Sequence, residues 1–157
     1  MPKPNDHIDG LRPIDLRIER RIAASIDKVW ACLTTPDLIA DWFFAVDFRP
    51  EIGHRFRIEG EPVTGWRGWT EVEILELDPP HRMLWSFDCT TEAAPSRVRF
   101  ELEQREDYVR PVLTHEGFVP PKTRHLLDEG WSAYTTALEA LAARHGDRLP
   151  GDPGGER

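Results

Sequence analysis

Between positions 55 and 118 the chain repeats one pattern, in which apolar residues alternate with charged ones and short polar reversals separate the runs. Phe56 and Ile58 share a face, with Arg55, Arg57 and Glu59 on the other. Val72 and Ile74 oppose Glu71 and Glu73, and Met83, Trp85, Phe87 and Cys89 fall together. Val98, Phe100 and Leu102 oppose Arg97, Arg99, Glu101 and Glu103, and a last run over 109–118 aligns Val109, Pro111, Leu113 and His115. A period of two is that of a strand with one buried and one wet face. Short reversals between successive runs specify an antiparallel sheet, because parallel neighbours need long crossovers. The breaks are chemically explicit: a turn-rich tract over 60–68, Asp78-Pro79-Pro80, a polar loop over 90–95, and Glu106-Asp107. Proline ends a strand because it has no N–H for the ladder.

A sheet with one apolar face needs a cover. Residues 122–145 supply it, since Leu127, Trp131, Tyr134, Leu138 and Leu141 recur every three or four positions, the stripe of an amphipathic helix. Such a helix is roughly 35 Å long at 1.5 Å per residue. Arg144 and His145 suit its C-terminal end, and Gly146 stops it. Near the N-terminus, Ile14, Leu16, Ile18 and Ile22 read as a strand that turns at Ala23-Ala24-Ser25 into a short helix with Ile26, Val29, Trp30 and Leu33 on one side. Thr35 is the expected cap of a second short helix, with Pro36 and Asp37 in its first turn and Leu38 and Trp42 on one face. Two short helices, each carrying a tryptophan, read as a lid or wedge. The fold class is α+β, a long helix across a curved antiparallel sheet. Residues 1–12 and 147–157, rich in polar residues, proline and glycine, are expected to be a flexible N-terminus and tail around one domain over 13–146.

Charge and cysteine content exclude several functions. Twenty basic residues stand against 28 acidic ones, a formal net charge of -8, and the basic residues form no block. A nucleic-acid partner is therefore not expected. Cys32 and Cys89 sit among apolar residues and read as small core hydrophobes. No apolar stretch reaches the ~20 residues that cross a bilayer, so membrane insertion is not expected. The first ten residues lack a signal-peptide h-region, which makes a soluble cytoplasmic protein the expectation. Six tryptophans and seven phenylalanines are a heavy aromatic load. Rings of that size fill cores, and they also line cavities for flat or greasy ligands.

The tracts VWACLTTPDLIADWF, DPPHRMLWSF, LTHEGF and HLLDEGW, in this order, carry a family resemblance over about positions 14–141. The chain resembles the activator of heat-shock protein 90 ATPase homologue-like family, within the START-like, birch-pollen-allergen-like (SRPBCC) superfamily. That resemblance implies a helix-grip fold, a curved sheet wrapped around a long C-terminal helix, with a cavity between them. It further implies lipids, polyketides, hormones or other hydrophobic molecules as ligands, with chemistry in a few relatives. The co-chaperone activity in the family's name belongs to proteins with an additional N-terminal domain, which this sequence does not show. The chain departs from the pattern in three places: a reversal reading Arg105-Glu106-Asp107-Tyr108 where glycine is usual, Pro111 within a strand, and the aromatic tract Gly65-Trp66-Arg67-Gly68-Trp69. Pro111 suggests a bulge or an edge position.

The candidate cavity lining is Trp30, Trp85, Phe87, Phe100, His115, Trp131 and Tyr134, drawn from the first helix, the sheet and the long helix. The alternative reading is that the same rings fill the space themselves. Strand alternation turns His115 inward, where it is either an acid/base or hydrogen-bonding group or a structural histidine satisfied within the core. Trp66 and Trp69 flank Arg67 and read as an ordinary turn, a mouth to the cavity or a dimer contact. No GxSxG elbow, HExxH or Cys/His pair is present, and the six histidines follow no ligand spacing, so no catalytic residue, metal or cofactor is assigned. The sequence favours a binding domain for a hydrophobic small molecule. A cavity enzyme of the polyketide cyclase/aromatase type is the first alternative, and a protein-interaction or chaperone-regulating module is the second. A homodimer and a protein partner stay open.

Overall fold

The structure, a computed structural model, describes residues 10–145. Its elements run β1 (Arg12–Pro13), β2 (Leu16–Glu19), α1 (Ile26–Thr34), α2 (Pro36–Trp42), β3 (Arg55–Glu59) and β4 (Trp69–Asp78). They continue with β5 (Arg82–Asp88), β6 (Ser96–Gln104), β7 (Val109–Glu116), β8 (Phe118–Val119) and α3 (Pro121–His145). Six strands form one antiparallel sheet in the order β2-β7-β6-β5-β4-β3, and β1 pairs with β8. This is the α+β architecture that the alternation and the terminal stripe specify, and the helix-grip fold that the family resemblance implies.

The two faces of the sheet separate as the pattern requires. Phe56, Ile58, Val72, Ile74, Trp85, Val98, Phe100 and Leu113 belong to the buried core. On the wet face Arg57 pairs with Glu71 at 3.1 Å and Arg55 with Glu73 at 3.3 Å, directly across β3 and β4. Such exposed pairs contribute little to stability and mainly favour one register. Between Ile74 and Glu76 the register against β5 shifts, so Leu75 is the extra residue of a bulge that bends β4.

Several expectations are corrected. The single run over 109–118 is two strands, because Gly117 adopts φ +139, a conformation that favours glycine. A Cβ there would lie 2.7 Å from Cβ of Ser96. Pro111 makes neither a bulge nor an edge. It pairs with Leu102 in unbroken register, in a strand flanked by β2 and β6. Arg20 N–H donates to the Pro111 carbonyl at 3.1 Å, so the missing proline N–H falls opposite Arg20, just beyond the last residue of β2. The ladder loses one bond where its neighbour is already ending. Thr35 starts α2 without a side-chain cap bond, whereas the Ser25 side chain caps α1 by accepting from Lys28 N–H at 3.1 Å. Within the segment 1–12, Leu11 is buried and Arg12–Pro13 pair with Phe118–Val119. The rest of that segment and the tail over 147–157 lie outside the described residues, as does Gly146.

Along α3, Trp131, Leu138, Leu141 and Ala142 are buried. Leu127 and Tyr134, on the same stripe, are only half-buried. They face a space that the core does not fill.

Candidate functional site

That space is a cavity of about 350 Å³ between α3 and the sheet. Ile58, Thr70, Phe87 and Cys89 form the sheet side, and Leu126, Leu127, Gly130, Trp131 and Tyr134 the helix side. Phe43 and Phe44 close it after α2, and Val63, Gly65 and Trp66 reach it from the 60–68 hairpin. Its volume lies within the range of small-molecule sites.

The rings form a connected wall. Phe43 stacks on Trp131 with centroids 5.5 Å apart and planes 7° apart. Tyr134 meets Phe43 edge-on at 5.0 Å and Phe44 at 5.6 Å, and Phe44 lies 6.2 Å from Trp66. Offset and edge-on pairs add to plain area burial. Where α2 ends, three consecutive rings divide their work. Trp42 turns into the core and donates to the Cys32 carbonyl at 2.8 Å, while Phe43 and Phe44 turn to the cavity.

The hairpin is tied to the first turn of α3. Gly65 has φ +95, and a Cβ on it would sit 2.9 Å from the Lys122 carbonyl group, so only glycine fits without displacement. The Thr123 hydroxyl donates to the Gly65 carbonyl at 2.6 Å, and the Trp66 indole donates to Thr70 Oγ1 at 3.0 Å. Trp69 has the other fate: its ring carries Arg67 at 3.3 Å and Arg57 at 4.1 Å, and Arg67 also donates to the Asp88 carbonyl at 2.7 Å. Of the two tryptophans in this tract, Trp66 belongs to the cavity and Trp69 to a cation–π cluster.

His115 is a wall support and does not line the cavity. It is completely buried. The Trp131 indole donates to its Nδ1 at 2.9 Å, and its Nε2 lies 2.7 Å from Ser96 Oγ. An indole nitrogen only donates, so Nδ1 is the acceptor and Nε2 carries the hydrogen. Ser96 accepts that hydrogen and passes its own to the Phe87 carbonyl at 3.1 Å. Burial, with the Arg124 charge second, pulls the His115 pKa from 6.5 down to about 3, so the ring is neutral at physiological pH.

Of the seven residues expected to line the cavity, Phe87, Trp131 and Tyr134 do so. Trp85 and Phe100 pack on each other at 4.7 Å in the filled part of the interior. Trp30 is half-buried on α1 and packs against the core away from the cavity. Phe43, Phe44 and Val63 were not anticipated as lining, whereas Trp66 was weighed as a mouth to the cavity and lines it. For Phe43 and Phe44 the only sequence signal is three rings in a row, and alternation rules say nothing of residues outside strands. Burial raises the thiols of Cys32 and Cys89 to about 11, which makes both poor nucleophiles. Burial also raises the Tyr134 hydroxyl above its ordinary value. Among the described residues no group of three or more His, Cys, Asp or Glu is placed to hold a metal, and no helix is long and apolar enough to cross a membrane.

Sheet, long helix and intervening cavity together define a START-like, helix-grip domain. A family model described as Activator of Hsp90 ATPase homolog 1-like protein matches residues 23–143, and the chain belongs to that family. Among solved structures it is similar to protein MLL2253 from Mesorhizobium loti, with 28% identity and a TM-score of 0.72 over 83% of this chain and 97% of that one. CalU16 from Micromonospora echinospora has 22% identity and a TM-score of 0.66 over 85% of this chain and 77% of its own. Protein BH1534 from Bacillus halodurans has 23% identity and a TM-score of 0.66 over 82% and 96%. The latter two likenesses speak to the fold. No curated protein matches in sequence.

Proposed function

We propose that this domain binds a small, neutral, mostly apolar molecule in the cavity between α3 and the sheet. The observation that carries the reading is the wall itself, built from rings and aliphatic side chains around about 350 Å³. At the packing density of protein interiors that volume suits a flat or extended molecule on the order of fifteen to twenty non-hydrogen atoms. Glu129 is the one carboxylate on the lining; it is exposed and lies 3.3 Å from His125 on the preceding turn. Arg20 is not part of the lining and donates to Thr135 Oγ1 at 3.0 Å and to the Ser132 carbonyl at 3.1 Å. A charged ligand would lose its hydration for ring contacts alone, a net cost of several kcal/mol.

Binding is favoured over cavity catalysis by the position of His115. His115, the one residue read as an acid/base candidate, makes bonds with both ring nitrogens and contributes no surface to the cavity. Native mass spectrometry of the protein from its own host tests retention of a small molecule directly. Thermal-shift measurements with neutral aromatic compounds and their carboxylated analogues supply the second arm. Neutral compounds at a hundredfold excess over Kd should stabilise by ~2.7 kcal/mol, as mass action requires. A consistent preference for the carboxylates would overturn the reading.

A further inference from the structure

Three of the side-chain hydrogen-bond donors around the cavity are spent within the protein. The Trp131 indole is given to His115, the Trp66 indole to Thr70, and the Thr123 hydroxyl to the Gly65 carbonyl. Tyr134 differs. Its ring is held edge-on by Phe43, Phe44 and Trp131, yet its hydroxyl has no hydrogen-bond partner among the described residues. Its raised pKa keeps the hydrogen in place at neutral pH. The Thr70 hydroxyl accepts from Trp66, and its own hydrogen likewise finds no acceptor among the described residues.

Gly130 shows that the position of the Tyr134 ring is built in. Glycine in a helix interior is unfavourable, and here it lies on the cavity wall one turn before Tyr134. A Cβ at Gly130 would come within 3.3 Å of Tyr134 Cε2. The missing side chain gives the ring its resting place.

Taking the apolar cavity as a ligand site, we infer that its ligand carries a carbonyl oxygen on an otherwise apolar frame, and that the Tyr134 hydroxyl recognises it. An apolar ligand without an acceptor would cover that hydroxyl and leave a desolvated donor. A ligand hydroxyl would satisfy the tyrosine but bring a second hydrogen, and the one carboxylate on the lining, Glu129, is exposed and engaged with His125. A carbonyl accepts and brings none. Tyr134 is thus a specificity-determining residue for the ligand class.

The test compares 1-tetralone with tetralin, which share a ring frame and differ by the carbonyl, in wild type and Tyr134→Phe. Dissociation constants come from titration of the tryptophan indole N–H signals. The substitution removes no hydrogen bond within the protein, so the melting temperature should not change and the comparison is made in a folded variant. Tyr134→Phe should weaken tetralone about five- to tenfold, the worth of one neutral hydrogen bond, and leave tetralin unchanged or tighter. Equal loss for both compounds, or no loss for the ketone, would overturn the inference while the cavity reading stands. Failure of both compounds to bind wild type would overturn the cavity reading, and the inference with it.

Discussion

The Trp131 indole donates to Nδ1 of His115 at 2.9 Å, and that bond ties the long helix to β7, the second strand of the sheet. Trp131 is also a wall of the cavity and stacks on Phe43. A buried polar bond therefore sets the angle of one of the two tryptophan rings that a ligand would meet.

The folded protein should resist protonating His115. Its pKa is about 3 against an ordinary 6.5, so between those values the unfolded chain binds a proton that the folded chain refuses. Stability must then fall as pH drops from 6.5 toward 3, and this contribution is flat above 6.5. Chemical denaturation between pH 7 and 4 should show a steeper acid loss in wild type than in His115→Gln. Equal slopes would mean that His115 takes up its proton while folded.

Truncating Trp131 should be costly. Trp131→Ala deletes a buried ring and should lose about 3–5 kcal/mol by equilibrium denaturation. Trp131→Phe keeps much of the ring but strands His115 Nδ1, for a loss of about 1–3 kcal/mol. A loss below about 1 kcal/mol for alanine would show that this face of α3 is not packed on the sheet.

Gly130→Ala should separate stability from binding. Alanine gains up to ~1 kcal/mol of helix propensity, and the Tyr134 ring, half-buried beside open space, moves into the cavity to accommodate the new Cβ. Calorimetry should show a melting temperature equal to or above wild type, with weaker affinity for neutral aromatic compounds. Unchanged affinity would place the ligand away from this wall.

The bond from Thr123 to Gly65 should control access. Thr123→Val removes the 2.6 Å bond that holds the hairpin to α3. Cys89 lines the cavity and Cys32 does not, so a thiol reagent should label Cys89 faster in the variant and leave Cys32 unchanged. Equal Cys89 rates in the two proteins would show that access does not run past the hairpin.

The strands were legible because each carries its own alternation, as in Phe56 and Ile58 or Val98, Phe100 and Leu102. The long helix was legible because Trp131, Leu138 and Leu141 repeat at helical spacing. Half of the site was hidden for a physical reason: Trp85, Phe87 and Phe100 all face inward, and inward orientation does not say which ring meets empty space and which meets another ring. Trp85 meets Phe100, whereas Phe87 meets the cavity. Phe43, Phe44 and Trp66 lie in loops, where side-chain direction is set by tertiary contacts such as the tie between Gly65 and Thr123. The part that His115 plays depends on a bond across 16 positions to Trp131, which no local pattern encodes.

The central claim is most directly tested by following the six indole N–H signals during titration with neutral 1-tetralone. Trp66 and Trp131 line the cavity, and Trp30 packs away from it. The account predicts saturable shifts of the Trp66 and Trp131 signals with the Trp30 signal unmoved. Binding that shifts Trp30 and leaves Trp66 and Trp131 in place would contradict it.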